Sequence, residues 1–487
     1  MLIFLPLAGA LLLLPVWRND GWVRSIALTT ALGEAALSIL LLGMTEAKTV
    51  LPGFFLLEDA GWIDRFGIRY TLGMDGISAL MVLLTAVITV IAMLVSWNSV
   101  KERVALHYLL ILVMECGLLG VFLSLDLFLF YLFWEVMLIP MFFLIGIWGH
   151  GRKIYSAVKF FLYTLFGSLL MLLAIIGVYL FHGEQSGSYT FALQALTHTA
   201  IPPSTALWLF AAFLLAFAIK VPLFPLHTWL PDAHTDAPTA GSVLLAGLLL
   251  KTGAYGLIRF AIPLFPAAAV TFAPFLTVLA VTGIIYGSWV AYAQTDMKRL
   301  VAYSSVGHMG FVALGIFAWT PVSLSGSLLQ MVNHGITTGA LFALVGMLDE
   351  RTGTRDVGAY GGVWGKAPQL SAFFLLFSMA SAGLPGLNNF TGEFLILAGT
   401  FRVSPLAASA AFVGILLPLI YTVRLVQQVL FGMERRPLPL ADLSPREGLI
   451  LAFLALMALG LGLHPAPLLE LVKLPVTLLT SGAGGMP

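Results

Sequence analysis

Runs of about twenty apolar residues recur from one end of this chain to the other, and no other feature constrains its fold as much. A helix needs about 20 such residues to cross the roughly 30 Å hydrocarbon core of a bilayer. The runs fall at 2–17, 22–43, 75–96, 106–124, 126–148, 157–181, 205–226, 239–262, 271–292, 299–319, 323–348, 370–400, 406–431 and 447–472. They leave almost no room for a soluble domain. Strands of a membrane barrel would alternate apolar and polar residues; these runs do not, and no strand is expected elsewhere. Composition agrees, with 60% of the 487 residues hydrophobic and only 10% charged, against roughly 25% charged in soluble domains. The chain therefore reads as an all-α polytopic membrane bundle of about fourteen spans. A net charge of +1 supplies no bulk field for nucleic acid. Its single cysteine, Cys116, excludes a disulfide framework, a thiolate zinc site or an iron–sulfur cluster held by this chain alone.

The first run lacks the basic residues that precede the apolar core of a signal peptide, and its first cation, Arg18, follows it. It is expected to be an uncleaved helix with its N-terminus outside. The positive-inside rule tests this. Loops after odd-numbered spans hold Arg18, Arg24, Lys101, Arg103, Arg152, Lys153, Lys298, Arg299, Arg351, Arg355, Lys366, Arg435, Arg436 and Arg446. Loops after even-numbered spans, with the C-terminal tail, hold Lys48, Arg65, Arg69, Arg259, Arg402 and Lys473. Fourteen against six predicts that both termini and the loop at 44–74 face away from the cytoplasm.

Four cations remain. Lys159 and Arg424 lie within snorkelling reach of span ends. Lys220, in LLAFAIKVPLFPL, and Lys251, in LLLKTGAYG, do not. Glu34, Glu115 and Glu135 are also mid-span, Glu393 follows a Pro-Gly break, and His308 and His334 lie near span centres. Each charge at a helix centre opposes insertion by about 2.5–3.5 kcal/mol, so such a set marks function. Groups that gain and lose protons, linked by water, are what proton transfer across a membrane needs. A carboxylate that moves toward or away from Lys220 decides whether the lysine keeps its proton, and Glu135 is the expected partner. For Glu34 and Glu115, a protonated, hydrogen-bonded carboxyl with a packing role is an equal alternative, and the two histidines have a packing alternative as neutral imidazoles.

Pro222 and Pro225 follow Lys220, and GLPGLNNF, with Pro385 and Gly386, cuts the run at 370–400. Proline removes a backbone donor and clashes with the preceding turn. Irregular backbone at membrane depth is tolerated where it is buried or lines a wet cavity. Broken helices at matching places in two halves point to an inverted-repeat transporter. The breaks fall in spans seven and twelve, an odd shift of five. Spans 4–8 (106–262) and 9–13 (271–431) are therefore expected to be inverted repeats, flanked by 1–105 and 432–487.

The runs IKVPLFPLHTWLPDAHTDAPT, LLLKTGAYG, WEVMLIPMFFLIGIWG, QTDMKRLVAYSSVGHMGF and QMVNHGITTGALF, with LGMDGIS around Asp75, resemble the antiporter-like proton-translocating subunits of respiratory complex I. That family also includes subunits of multisubunit cation/proton antiporters, the alternative reading. Glu393 on the broken twelfth helix matches the M-type branch, where the L- and N-type branches carry lysine. The resemblance implies that Glu135 and Lys220 gate an input half-channel. It also implies that Lys251, His334 and nearby His308 continue a central axis, and that Glu393 is the terminal group. His227 and His234 lie in a region the family uses near cytoplasmic uptake, though hydrogen bonding at a helix end explains them equally. The resemblance further implies a bacterial cell membrane and, as partners, the other membrane subunits, above all the L and N types. FMN, iron–sulfur clusters and quinone are expected on other subunits, with no cofactor and no metal here. GGVWGKAP around Lys366 imitates a phosphate loop, but its spacing is one residue short and Ala367 stands where Ser or Thr is needed. A structural spacer with inert ion pairs is the remaining class.

Overall fold

The computed structural model describes residues 1–44, 51–434 and 438–482. Lys48, Arg435 and Arg436, used in the charge count, lie outside the described residues. Twelve helices among the described residues are long and apolar enough to cross a membrane. In chain order the helices are α1 (Phe4–Leu12), α2 (Asp20–Leu42), α3 (Gly76–Ser99), α4 (Val104–Leu123), α5 (Leu127–Trp148) and α6 (Lys153–Ser186). The broken seventh follows as α7a (Pro203–Lys220) and α7b (Trp229–Asp236), then α8 (Thr239–Leu264), α9 (Pro266–Tyr292), α10 (Met297–Ala318) and α11 (Pro321–Thr352). The broken twelfth is α12a (Pro368–Ser381) and α12b (Asn388–Phe401), before α13 (Pro405–Phe431), α14 (Pro445–Leu463) and α15 (Ala466–Gly482).

The two ends depart from the expected spans. The run 2–17 holds an α-helix of nine residues, a rise of about 14 Å. Pro15 cannot continue the ladder, and the N–H groups of Leu13, Leu14, Val16 and Trp17 instead bond three residues back. The run 447–472 is two helices, because His464–Pro465 ends α14 and α15 begins anew at Ala466. The expectation of no strand is also corrected. An antiparallel hairpin, β1 (Phe54–Ile63) and β2 (Ile68–Asp75), fills the described part of the 44–74 loop. Its turn needs the left-handed backbone of Gly67 (φ 65°), and it is pinned to the start of α5 by Leu125 N–H donating to Thr71 O at 2.9 Å. Searching for 20-residue runs is blind to so short an element.

Both predicted breaks are present. Residues 221–228 leave the helix around Pro222 and Pro225, and residues 382–387 do so around Pro385. The breaks face the centre of the bundle, where α8 and α11 are buried along their whole apolar windows and α10 nearly so. Small residues bring the helices together: a Cβ on Gly287 of α9 would lie 2.8 Å from Gly307 N on α10, and one on Gly253 of α8 would lie 2.6 Å from Phe217 O on α7a. Such contacts drive helix association in lipid, where apolar surface gains nothing from meeting apolar surface. One end of the bundle carries Lys298, Arg299, Arg351 and Arg355, hereafter the charged face; the hairpin lies at the other.

Candidate functional site

The site is built on the deepest helix. Within α8, π-turns at Leu245–Leu249 and Leu257–Ala261 bracket the α-helical stretch Leu250–Gly256. The Leu250 N–H reaches back to Leu245 O, and Ala246 O accepts from Lys251 Nζ. Such single π-turns frequently mark functional sites. Lys251 Nζ lies 2.7 Å from His334 Nδ1 on α11, and both side chains are 0% exposed. A contact this short holds one shared proton: an ammonium facing a neutral ring nitrogen, or an amine facing a ring N–H.

The line continues across the bundle. The His308 ring on α10 lies edge-on to that of His334 with centroids 5.8 Å apart. His308 Nδ1 is 2.8 Å from Glu393 Oε1 on α12b, and its Nε2 is 3.2 Å from Ser381 Oγ, the last residue of α12a. Gln330 Nε2 donates to the same Glu393 oxygen at 3.1 Å. The twelfth-helix break thus brings one residue from each half-helix onto the two nitrogens of one imidazole. Glu393 also lines a cavity of about 420 Å³ with Phe390, Phe394, Phe401 and Phe412.

Lys220 ends α7a, directly before the first break. It is 1% exposed, has no hydrogen-bond partner, and lies over the rings of Trp134 at 5.5 Å and Phe160 at 5.2 Å. Glu135 is the carboxylate whose field reaches it. No ion pair joins the two, so the expected Glu135–Lys220 pair stands open. Pro140 withholds the N–H that would bond Val136 O, and the fifth helix is irregular at Met137, two residues after Glu135.

The remaining expected residues sit around this line. His227 is buried against Phe224, Tyr286 and Tyr303. His234 stacks flat on Phe342 at 4.6 Å, with neither ring nitrogen partnered. Lys159 pairs with Asp232 at 2.7 Å and Arg424 donates to Tyr292 O at 3.0 Å. Glu34 accepts from Ser38 Oγ at 2.7 Å, and Glu115, fully buried across from it on α4, has no partner. Among the described residues no hydrogen bond ties that pair to the central line. Lys366 pairs with Glu434 at 2.5 Å.

Two cations counted as loop residues are interior. Lys298 is buried with Nζ donating to Ala237 O. Arg259 Nη2 lies 2.6 and 2.7 Å from the two oxygens of Asp75, whose carboxylate also caps α3 at Ser78 N. Ser381, Gln330 and the Asp75–Arg259 pair escaped the sequence reading. Polar neutral residues carry no hydropathy signal strong enough to stand out in an apolar run, although Asp75 at the head of a span was itself a cap signal. No group of three or more His, Cys, Asp or Glu among the described residues is arranged to hold a metal ion.

Residues 124–417 match a family model described as NADH:quinone oxidoreductase/Mrp antiporter, transmembrane. The chain is 41% identical over 486 residues to NADH-quinone oxidoreductase subunit M of Escherichia coli, covering 96% of this chain and 95% of that one. It is 47% identical over 416 residues to subunit M of Pseudomonas aeruginosa, covering 84% and 82%. It also superposes over the full length of both chains, at 34% identity and a TM-score of 0.87, on a chain of respiratory complex I from Thermus thermophilus with bound NADH.

Proposed function

The chain belongs to the NADH:quinone oxidoreductase/Mrp antiporter transmembrane family, and from that premise we propose that its buried Lys–His–His–Glu line is a proton path. It is a proton-translocating membrane-arm subunit of NADH:quinone oxidoreductase, working beside other membrane subunits. The observation that carries the path is the contact of Lys251 with His334 and of His308 with Glu393 at 2.7 and 2.8 Å.

In this reading Glu135 and Lys220 act at the input. An approach of the Glu135 carboxylate holds the proton on Lys220; its withdrawal releases the proton toward Lys251, because a desolvated ammonium without a counter-charge is unstable. Lys251 passes its proton to His334 Nδ1. His334 and His308 exchange through ring rotation or one water, since their centroids are 5.8 Å apart, and His308 Nδ1 delivers to Glu393. A membrane potential changes each such step by up to about 2.3 kcal/mol per charge per 100 mV. His227, His234 and Glu115 are secondary members. The halves 106–262 and 271–431 act as inverted repeats, each with one broken helix.

Both termini lie on the non-cytoplasmic side of a bacterial cell membrane, with the charged face toward the cytoplasm. The L- and N-type subunits are the neighbours. FMN, iron–sulfur clusters and quinone stay on other subunits, so this chain answers redox chemistry without performing it.

Lys251→Met keeps the bulk of the side chain and removes its proton-carrying group. In the assembled, reconstituted complex it sharply lowers NADH-driven proton pumping while assembly survives, and Lys220→Ala and Glu135→Ala do likewise. Normal pumping at normal assembly makes the chain a spacer and refutes the reading.

A further inference from the structure

Ser371, Ser378 and Ser381 stand on α12a at i, i+7 and i+10, within about 80° of one another around the helix, and each is at most 3% exposed. A buried helical serine commonly turns its hydroxyl onto a carbonyl of the preceding turn, as Ser304 and Ser305 do onto Val301 O at 2.8 and 3.1 Å. Ser371 and Ser378 do not; their hydroxyls have no hydrogen-bond partner. Ser381, at the inner end of the stripe, meets His308 Nε2.

A second observation points to the same place from another helix. Tyr421 of α13 is 2% exposed and its hydroxyl has no partner. Helix α13 packs against α12a and α10, which brings the Tyr421 hydroxyl within reach of the Ser304 and Ser381 hydroxyls, yet it makes no hydrogen bond. Tyr421, Arg424 and Gln428 stand at i, i+3 and i+7, one face of α13. Arg424 and Gln428, with Gln294 and Thr295, line a cavity of about 350 Å³ at the charged face.

We propose that the Tyr421 and Ser381 hydroxyls form a second proton inlet, running from that cavity to His308 Nε2 without passing Lys220. The inlet rests on the reading of the His308–Glu393 contact as part of the proton path. As His308 gives its Nδ1 proton to Glu393 Oε1, Nε2 takes the Ser381 hydroxyl proton. Ser381 Oγ takes one in turn from the Tyr421 side, and the Tyr421 hydroxyl is refilled from water of the cavity. Each hydroxyl is neutral before and after, and one proton has moved inward.

The test is NADH-driven acidification of proteoliposomes by the assembled complex, scaled to complex content on a native gel. Ser381→Ala and Tyr421→Phe each lower the initial rate by on the order of tenfold, below the 10²–10⁴ of a wholly lost proton-transfer group because water replaces part of the relay. Ser381→Thr, which keeps the hydroxyl, restores pumping. Tyr421→Phe is decisive, since a Ser381 that merely orients His308 leaves this variant unaffected. Normal pumping by Tyr421→Phe overturns the inlet, and if Ser381→Ala fails to assemble, Tyr421→Phe alone decides. Glu393→Gln, downstream of both routes, separates the two claims. If it is inactive while both hydroxyl variants pump normally, the path stands and the inlet falls; if Glu393→Gln itself pumps normally, the path falls.

Discussion

Arg259→Met isolates what a buried ion pair does in this bundle. Arg259 Nη2 contacts both Asp75 oxygens at 2.6 and 2.7 Å, with side chains only 6% and 3% exposed. Its Nε also donates to Tyr255 OH at 3.2 Å. Removing one partner leaves the Asp75 carboxylate buried and uncompensated, which costs about 3–5 kcal/mol. Replacing both should cost far less, because a neutral pair of similar volume has no charge to desolvate. Asn in place of Asp75 keeps an N-cap acceptor for Ser78 N, a contact worth about 1 kcal/mol. The double variant Asp75→Asn with Arg259→Met should therefore recover most of the loss. Lys473→Met is the control: its pair with Glu470 at 3.2 Å is 69% exposed on both sides, and such pairs contribute about 0–1 kcal/mol. The assay is unfolding of the purified chain in mixed micelles by added SDS. If Arg259→Met costs no more than Lys473→Met, or the double variant is no better than the single, burial does not set what this ion pair contributes.

Two further outcomes follow from local geometry. A Cβ on Gly253 would meet Phe217 O at 2.6 Å and Val221 N at 3.0 Å, backbone atoms beside Lys220 that cannot swing aside. Gly253→Ala should therefore destabilise by about 1–3 kcal/mol and slow pumping, whereas Gly448→Ala, with nothing within 4 Å, should gain up to about 1 kcal/mol in helix propensity; equal effects in unfolding and pumping assays refute the close approach. Asp442 caps α12a from a distant loop, accepting from Gln369 N at 3.0 Å and Leu370 N at 2.9 Å. Desolvation pushes its carboxyl up, but these donors, Leu443 N and Arg351 outweigh it and hold it below the ordinary 3.8. The cap's contribution is then fully present above that ordinary value and lost only as pH falls through the lower folded one. Protection of the Gln369 and Leu370 amides, corrected for intrinsic exchange, should survive to below about pH 3.9, and loss already near pH 5 refutes the cap.

Hydropathy located the spans because burial in lipid is a property of each residue alone. It also isolated Lys220, Lys251, Glu135, His308, His334 and Glu393, since a charge in an apolar run stands out whatever surrounds it. Pro222, Pro225 and Pro385 gave both breaks for an equally local reason, the missing N–H. Arg259, three residues inside the end of the run 239–262, and Lys298, one residue before the run 299–319, look like loop cations by their nearness to a run's end; both are buried because Asp75 and Ala237 O, from distant parts of the chain, receive them there.

The amino-acid order by itself determined that this chain spans a membrane many times, where its helices break, and which ionisable groups are trapped at depth. Only the tertiary structure decided which of those groups touch: Lys251 with His334, His308 with Glu393 and Ser381, Arg259 with Asp75, and Lys220 with rings instead of a carboxylate. The reason is that cost of burial is a one-body quantity legible along a line. Partnership depends on the relative rotation and spacing of helices far apart in sequence, set by glycines such as Gly253 and by the π-turns that shift the face of α8.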